Sequence, residues 1–456
     1  MSAFTPNTAA GRQAMLDALG LETAGGLFDG IPDGLRLNRP LDLPEGMAEK
    51  DALEYMGRLA VKNIVYKTIF RGAGAYRHYI PSIVKRIAAK EEFVTAYTPY
   101  QPEVSQGILQ CIFEFQTMIC ELTGMDAANA SVYDGAVAAA EAAAMCREKN
   151  RRDVVMSCAA NPQVVEVVRT YCAAAGSRLI MAPFKNGVTD PEKLSKLING
   201  ETACVYIQQP NFFGLLEEAD AIGEIARGGG AKFVVGANPF AMALFAPPGE
   251  CGADIAVGEG QPLGLPLSFG GPYLGFMACK KELARRLPGR IIGETKDRNG
   301  ERAFVLTLQA REQHIRREKA ASNICSNQAH CALTASAYMA ATGPGGMRSA
   351  ALKCVENAAY LREKLAGIEG YEPVFEGPSF HEFVTKRPIP QKDLERILAE
   401  RGILAGLPLD GLFPENAGGF LSGGGPAGCV LWCATEMNTF EEMDELADLL
   451  RGSGVK

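Results

Sequence analysis

The order of apolar and helix-forming segments between residues 153 and 278 most limits the possible folds of this 456-residue chain. Short apolar runs alternate there with segments of helical periodicity. The apolar runs predict strands at 153–158, 178–183, 203–208, 232–236, 253–257 and 273–278, and helices are predicted at 162–175, 191–198 and 217–227. Such alternation is typical of a mostly parallel sheet with helices on both faces. The sequence therefore predicts a doubly wound α/β domain.

The flanking segments predict three parts in the chain. Residues 1–65 are interrupted by Gly and Pro, which indicates an N-terminal arm without a core of its own. Residues 66–340 are the predicted large α/β domain. Residues 341–456 are the predicted small α+β domain, with strands at 381–386 and 429–434 and helices at 391–401 and 440–450.

The composition argues against several functional classes. Lys and Arg number 46 against 53 Asp and Glu, and the resulting net charge of −7 without a basic block disfavours nucleic acid or an anionic membrane as a partner. The first residues lack the pattern of a signal peptide, and no apolar run approaches eighteen residues, so we expect a cytoplasmic protein. The 13 cysteines are scattered singly without a Cys-x-x-Cys pair, and we expect reduced thiols and no metal site.

Six segments carry a resemblance to a known family. They are GAGAYRHYIP at 72–81, YTPYQPEVSQG at 97–107, ANASVYDG at 128–135, GEGQPLG at 258–264, SFGGPY at 268–273 and REQHIRREKAASNIC at 311–325. Through them the chain resembles, essentially from end to end, glycine decarboxylase, the P-protein of the glycine cleavage system. The resemblance is to the alpha chain, or subunit 1, of the form in which that enzyme is split over two chains.

This resemblance implies a fold, a cofactor and partners. The fold would be that of the aspartate-aminotransferase type, fold type I of the pyridoxal-phosphate enzymes, with a seven-strand large domain and a small α+β domain. Pyridoxal phosphate would be bound by the beta subunit in an α2β2 heterotetramer. The complex, an oxidoreductase of glycine catabolism, would decarboxylate glycine and transfer the aminomethyl group to the lipoyl arm of the H-protein.

Within that family pattern, this chain lacks the groups that hold the cofactor. No lysine occurs between Lys232 and Lys280, and Gln261 and Pro262 stand where the catalytic chain of the family has histidine and lysine. We expect Val235 at the position of the carboxylate that pairs with the pyridine nitrogen. Asp134 is predicted to cap a helix and to place a carboxylate where a phosphate would bind. The expectation is therefore no catalytic and no cofactor-binding residue in this chain.

Two polar segments are the candidates for a pocket shared with the beta subunit. The first consists of Tyr97, Thr98, Tyr100, Gln101 and Glu103, whose backbone is held extended by neighbouring prolines. An interface hydrogen-bond cluster without a catalytic part remains the alternative for this set. The second candidate, Arg77, His78 and Tyr79, follows a glycine-containing loop that lets a partner approach closely, and an interface loop is the equal alternative.

A basic cluster and two rival functions complete the expectations. Arg311, Arg316, Arg317 and Lys319 share a predicted helical surface with Glu312 and Glu318, which favours a solvated face, and docking of the H-protein is the alternative.

One rival function is an independently active pyridoxal-phosphate enzyme that uses a displaced lysine such as Lys232 or Lys280. The other is a scaffold subunit that touches no active site.

Overall fold

The computed structural model describes residues 8–37, 39–95, 100–269, 271–413 and 428–452. It divides into two compact units, Met1–Ile64 and Val65–Lys456. In the described part of the first unit, Leu16 is the one buried residue, and the interpretation of residues 1–65 as an arm stays a prediction. No helix in the described ranges is both long enough and apolar enough to cross a membrane.

The helices of the described residues are labelled in chain order. They are α1 (Ala9–Leu19), α2 (Glu49–Ala60), α3 (Ser82–Ala88), α4 (Glu91–Val94), α5 (Gln106–Thr123), α6 (Gly135–Cys146), α7 (Pro162–Ala174), α8 (Pro191–Leu197), α9 (Ala219–Gly228), α10 (Gln313–Arg316), α11 (Ala329–Ala366), α12 (Gln391–Ala399) and α13 (Phe440–Gly452). Helix α11 is interrupted at Gly343, whose φ of 64° is not helical, directly before Pro344. It runs across the predicted boundary at 340, so the division into a large and a small domain there remains a prediction.

The strands are numbered in the same way. They are β1 (Thr68–Ile69), β2 (Ala127–Ala128), β3 (Asp153–Ser157), β4 (Leu179–Ala182), β5 (Phe184–Lys185), β6 (Val188–Thr189), β7 (Thr202–Gln209), β8 (Lys232–Ala237), β9 (Ile255–Glu259), β10 (Gly275–Cys279), β11 (Ile291–Lys296), β12 (Arg302–Thr307), β13 (Glu382–Lys386), β14 (Ile403–Leu404), β15 (Leu407–Pro408) and β16 (Cys429–Cys433).

A seven-stranded sheet forms the centre of the second unit. Its strand order is β2-β10-β9-β8-β7-β3-β4, and β10 runs antiparallel to both neighbours while the remaining pairs are parallel. Two apolar clusters cover its faces: Phe233 and Val235 of β8 belong to one, and Val234 belongs to the other. This alternation of successive residues is that of a strand buried on both sides. The predicted mostly parallel α/β sheet is confirmed.

The C-terminal part contains a three-stranded antiparallel sheet in the order β13-β16-β15. Its core includes the fully buried Trp432 together with Leu446 and Leu450 of α13. The predicted strands and helices of this part are observed, with bounds that differ by a few residues. The hairpin of β11 and β12 was not predicted, because each strand has a single buried residue, Ile292 and Phe304, and so lacks a clear apolar pattern.

Candidate functional site

A cavity of about 680 Å³ lies at the carboxyl ends of the parallel strands β7, β8 and β9. Ligands of open α/β sheets bind at this edge, because the loops that leave the strands diverge there and leave a crevice. Both apolar and polar side chains line this cleft. They include Tyr76, Asp134, Asn161, Gln208, Asn238, Glu259, His381 and Glu382.

The N-terminus of helix α6 opens on the cleft and is occupied by two carboxyl groups. Asp134 caps the helix, since its Oδ1 accepts a hydrogen bond of 2.8 Å from the backbone N–H of Val137. Glu259, at the end of β9, accepts a bond of 3.0 Å from the backbone N–H of Gly135 on its Oε2. The predicted cap is confirmed, whereas Glu259 was not predicted as part of the site.

The second carboxylate oxygen of Glu259 also accepts hydrogen bonds from the backbone. Its Oε1 accepts hydrogen bonds from the backbone N–H groups of Gln261 at 2.9 Å and Leu274 at 3.0 Å. Burial raises the pKa of Glu259 to about 7, against the lowering effect of these backbone donors. A Cβ on Gly135 would lie 2.9 Å from the Cβ of Glu259, so the approach of this side chain requires a glycine at position 135.

Gln261, which together with Pro262 is predicted to replace the histidine and lysine of the family, is a buried structural residue. Its Oε1 accepts a hydrogen bond of 2.8 Å from the backbone N–H of Tyr76. Its Nε2 donates to the carbonyl oxygens of Tyr76 at 2.9 Å and of Leu265 at 2.8 Å. The neighbouring Pro262 is buried as well. The amide therefore fastens the 72–79 loop to the loop after β9.

Val235 is buried in strand β8. Its side chain packs into an apolar cluster with Phe233, and it is not among the described residues that line the cleft. Strand β8 instead brings Gly236 and Asn238 to the cleft wall. The Nδ2 of Asn238 lies 3.4 Å from the Nε2 of His381, whose pKa is lowered well below the usual value by burial and then by the neighbouring His78. The correspondence of Val235 to the family's carboxylate position stays a prediction.

These residues do not fit pyridoxal phosphate. The helix end that would receive its phosphate already has acidic oxygens on the N–H groups of Gly135 and Val137. Among the described lining residues there is no lysine to form an imine. Lys232 and Lys280, the displaced lysines considered above, both face Asp254, at 4.0 and 3.3 Å, and neither lines the cleft.

The predicted 77–79 segment is anchored outside the cleft by Glu436. The carboxylate accepts hydrogen bonds of 2.8 Å from His78 Nδ1 and from the backbone N–H of Tyr79. Burial raises the pKa of Glu436, but these bonds outweigh it and hold the pKa below its usual value. His78 is buried and stacks on Phe240 at 4.1 Å, whereas Arg77 and Tyr79 reach the surface, Arg77 half-buried and Tyr79 62% exposed.

The same Glu436 belongs to a group of three side chains that could bind a metal. His78, Cys354 and Glu436 each offer one candidate ligand atom, and these atoms lie within 4.8 Å of one another. Hydrogen bonds within the group already use these atoms, since His78 Nδ1 and Cys354 Sγ contact the same oxygen of Glu436 at 2.8 and 3.3 Å. The absence of a metal site stays a prediction.

The second predicted segment is described only from Tyr100 onward, and Tyr97 and Thr98 lie outside the described residues. The hydroxyl of Tyr100 donates a 2.6 Å hydrogen bond to Asn327 Oδ1, and the Arg290 guanidinium lies 4.9 Å from its ring centre. Burial raises the pKa of Tyr100 to about 12. Gln101 and Glu103 are exposed. None of these three side chains lines the cleft in this chain.

The residues of the basic cluster do not share one helical surface, contrary to the prediction from the sequence. Arg316 ends the single turn of α10, and Arg317 and Lys319 belong to a short 3-10 turn, all three exposed. Arg311 is half-buried and donates to the carbonyl of Gly289 at 3.0 Å. The expectation that Glu312 belongs to a solvated face is wrong, because its buried carboxylate pairs with Arg290 at 2.6 Å. The two partners are 22 residues apart, and no local pattern relates them.

The sheet, the cleft at its carboxyl edge and the C-terminal α+β part define an α/β protein of fold type I, the aspartate-aminotransferase type. A sphingosine-1-phosphate lyase from Burkholderia pseudomallei shares this fold, with a TM-score of 0.66 at 14% identity over 93% of this chain and 94% of that one. The family profile described as glycine cleavage system P-protein matches residues 2–410. The chain therefore belongs to the glycine cleavage system P-protein family.

Relatives within this family align over nearly the whole chain. A solved glycine decarboxylase (P-protein) of the glycine cleavage system, in inhibitor-bound form, matches with a TM-score of 0.89 and 43% identity, covering 99% of this chain and 100% of that one. Proteins named probable glycine dehydrogenase (decarboxylating) subunit 1 are 49% identical in Moorella thermoacetica and 46% identical in Desulfitobacterium hafniense. These alignments cover 98% and 97% of this chain and 99% and 98% of those relatives.

Proposed function

We propose that this chain is the non-catalytic subunit of a two-chain glycine decarboxylase. The relatives named subunit 1, which align over 97% or more of this chain, support its assignment to that position in the enzyme. One observation carries the non-catalytic part of the proposal. Gln261, one of the two residues predicted to replace the family's histidine and lysine, uses its amide in three hydrogen bonds to backbone atoms, and Glu259 closes the helix end two residues earlier.

The cofactor and the reacting groups then belong to the partner. In this proposal the beta subunit carries pyridoxal phosphate, which supplies the electron sink for loss of carbon dioxide from glycine. The aminomethyl group passes to the lipoyl arm of the H-protein. The two subunits form an α2β2 complex in the cytoplasm. The resemblance of the six sequence segments supports these partners.

This chain contributes a wall of the pocket that it shares with the partner. Tyr100 is the best-supported member, because its ring is fixed by Arg290 and its hydroxyl by Asn327. Gln101 and Glu103 are exposed next to it and are available to a partner surface, and Tyr97 and Thr98 belong to the same proposed wall. The exposed Tyr79 belongs to the proposed wall from the 77–79 segment, together with Arg77 and His78. Its backbone N–H donates a hydrogen bond to Glu436, which holds the segment in place. These groups orient substrate and exclude water.

A reconstitution assay tests this proposal. Release of carbon dioxide from carboxyl-labelled glycine is measured with pyridoxal phosphate and lipoylated H-protein, for this chain alone, the beta subunit alone and the two together. We expect turnover only in the combined sample. Turnover by this chain alone would contradict the proposal, and full activity of the beta subunit alone would favour the scaffold alternative.

A further inference from the structure

We propose that Glu259 is a built-in anion that closes the cleft of this chain to phosphate esters. The Glu259 carboxylate then occupies the position at the N-terminus of α6 where a ligand phosphate would bind. Glu259 is thus the residue that decides the ligand specificity of the cleft, beyond the missing lysine. The inference rests on the proposed function in one respect, namely that this cleft is not the enzyme's cofactor site.

Three backbone N–H groups from separate segments converge on the Glu259 carboxylate. Gly135 begins helix α6, Gln261 follows strand β9, and Leu274 precedes strand β10. Their distances to the two oxygens are 3.0, 2.9 and 3.0 Å. Backbone donors that converge at a helix N-terminus form the usual protein site for an anion. The carboxylate is therefore bound as a phosphate would be bound.

The backbone segments that carry the donors are closely packed. A Cβ at Gly135 would lie 2.8 to 3.1 Å from the backbone N, Cα and Cβ atoms of Glu259, so only glycine fits at position 135 beside the end of β9. A Cβ at Gly275 would lie 2.3 Å from the carbonyl oxygen of Asp134, which keeps β10 close to the start of the helix. These contacts explain why glycine stands at both positions. They also show that the donors are held in place by the fold as well as by the carboxylate.

The charge balance of the cleft also disfavours an anion. Asp134, Glu259 and Glu382 line it, and the one arginine among the described lining residues, Arg71, donates to the carbonyl oxygens of Ala405 and Gly406, each at 3.0 Å. A phosphate that entered would meet Glu259 at contact distance, and two anions in a low-dielectric site repel strongly. Removing the Glu259 carboxylate leaves three donors without an acceptor, and we expect them to bind a small anion instead.

The test compares Glu259→Ala with Glu382→Ala in the full-length chain at pH 8, where carboxyl groups with a pKa near 7 are ionised. Glu382 is the matched control, because it lines the same cleft and burial likewise raises its pKa to about 7, but its partners are Ala73 N–H and the Tyr76 hydroxyl. The probes are inorganic phosphate and chloride at equal ionic strength. The readouts are the melting temperature and, by calorimetry, phosphate binding.

We expect the melting temperature of Glu259→Ala to rise with phosphate concentration, because phosphate binds the folded variant. Calorimetry should show saturable phosphate binding to Glu259→Ala with an affinity at least tenfold higher than to the wild type or to Glu382→Ala. If Glu259→Ala does not fold in chloride, refolding in phosphate should restore it, and the same comparison is made on the recovered fraction. The inference is overturned if phosphate stabilises Glu259→Ala no more than chloride does, or if the wild type binds phosphate as tightly as the variant. A cofactor adduct on a lysine of the wild-type chain would instead refute the proposed function, so the two failures are distinguishable.

Discussion

Replacement of Gln261 by leucine tests whether this side chain is the structural tie that its contacts indicate. Leucine is of similar size and removes the amide. The backbone N–H and carbonyl of Tyr76 and the carbonyl of Leu265 then lose buried hydrogen-bond partners. Each unsatisfied buried polar group costs about 1–3 kcal/mol. Three such groups predict a loss of at least about 3 kcal/mol in the free energy of unfolding.

Urea-induced unfolding of the full-length chain measures this loss. The fluorescence of Trp432, the one tryptophan of the sequence and fully buried, reports the transition together with far-UV circular dichroism. Gln313→Leu is the matched control, because Gln313 is exposed and the substitution should change stability by less than about 0.5 kcal/mol. A loss below about 1 kcal/mol in Gln261→Leu would refute the structural role of the amide.

Three further substitutions test the cleft and the proposed wall. Burial raises the pKa of Glu382 to about 7, above the ordinary 4.5, so the folded chain binds the extra proton and stability should fall as pH rises from about 4.5 to about 7. Measured by urea unfolding, the free energy of unfolding of Glu382→Gln should fall less steeply with pH over this range than that of the wild type, and the remaining fall should be due to Glu259. An unchanged dependence on pH would contradict the raised pKa of Glu382. In the assembled complex, Tyr100→Phe and Glu103→Ala should lower the rate of glycine decarboxylation by about tenfold or more while gel filtration shows intact assembly. Unchanged turnover of the intact complex would favour the scaffold alternative.

The sequence predicted the architecture well because the apolar pattern of a buried parallel sheet is local and repetitive. Strands β3, β7 and β8 were recognised from continuous apolar runs, and the cap at Asp134 from its position before an alanine-rich helix. Short strands such as β2 lack enough residues for a pattern and were missed.

The site was predicted less well because its contacts join distant segments. Gln261 was singled out for what it replaces, but its bonds to Tyr76 span 185 residues and leave no local signature. Glu259 is the last residue of strand β9 and faces a helix that begins 124 residues earlier. The pattern Gly258-Glu-Gly-Gln, in which glycines flank a carboxylate at a strand end, was the one available signal of a close backbone approach.

Borohydride reduction tests the central claim, that this chain does not carry the cofactor, most directly. The wild-type chain is incubated with pyridoxal phosphate, alone and co-purified with the beta subunit, then reduced and mapped by mass spectrometry for pyridoxyl-lysine. We expect a single stoichiometric adduct on the beta subunit and none on this chain in either sample. A stoichiometric adduct on one specific lysine of this chain would contradict the central claim.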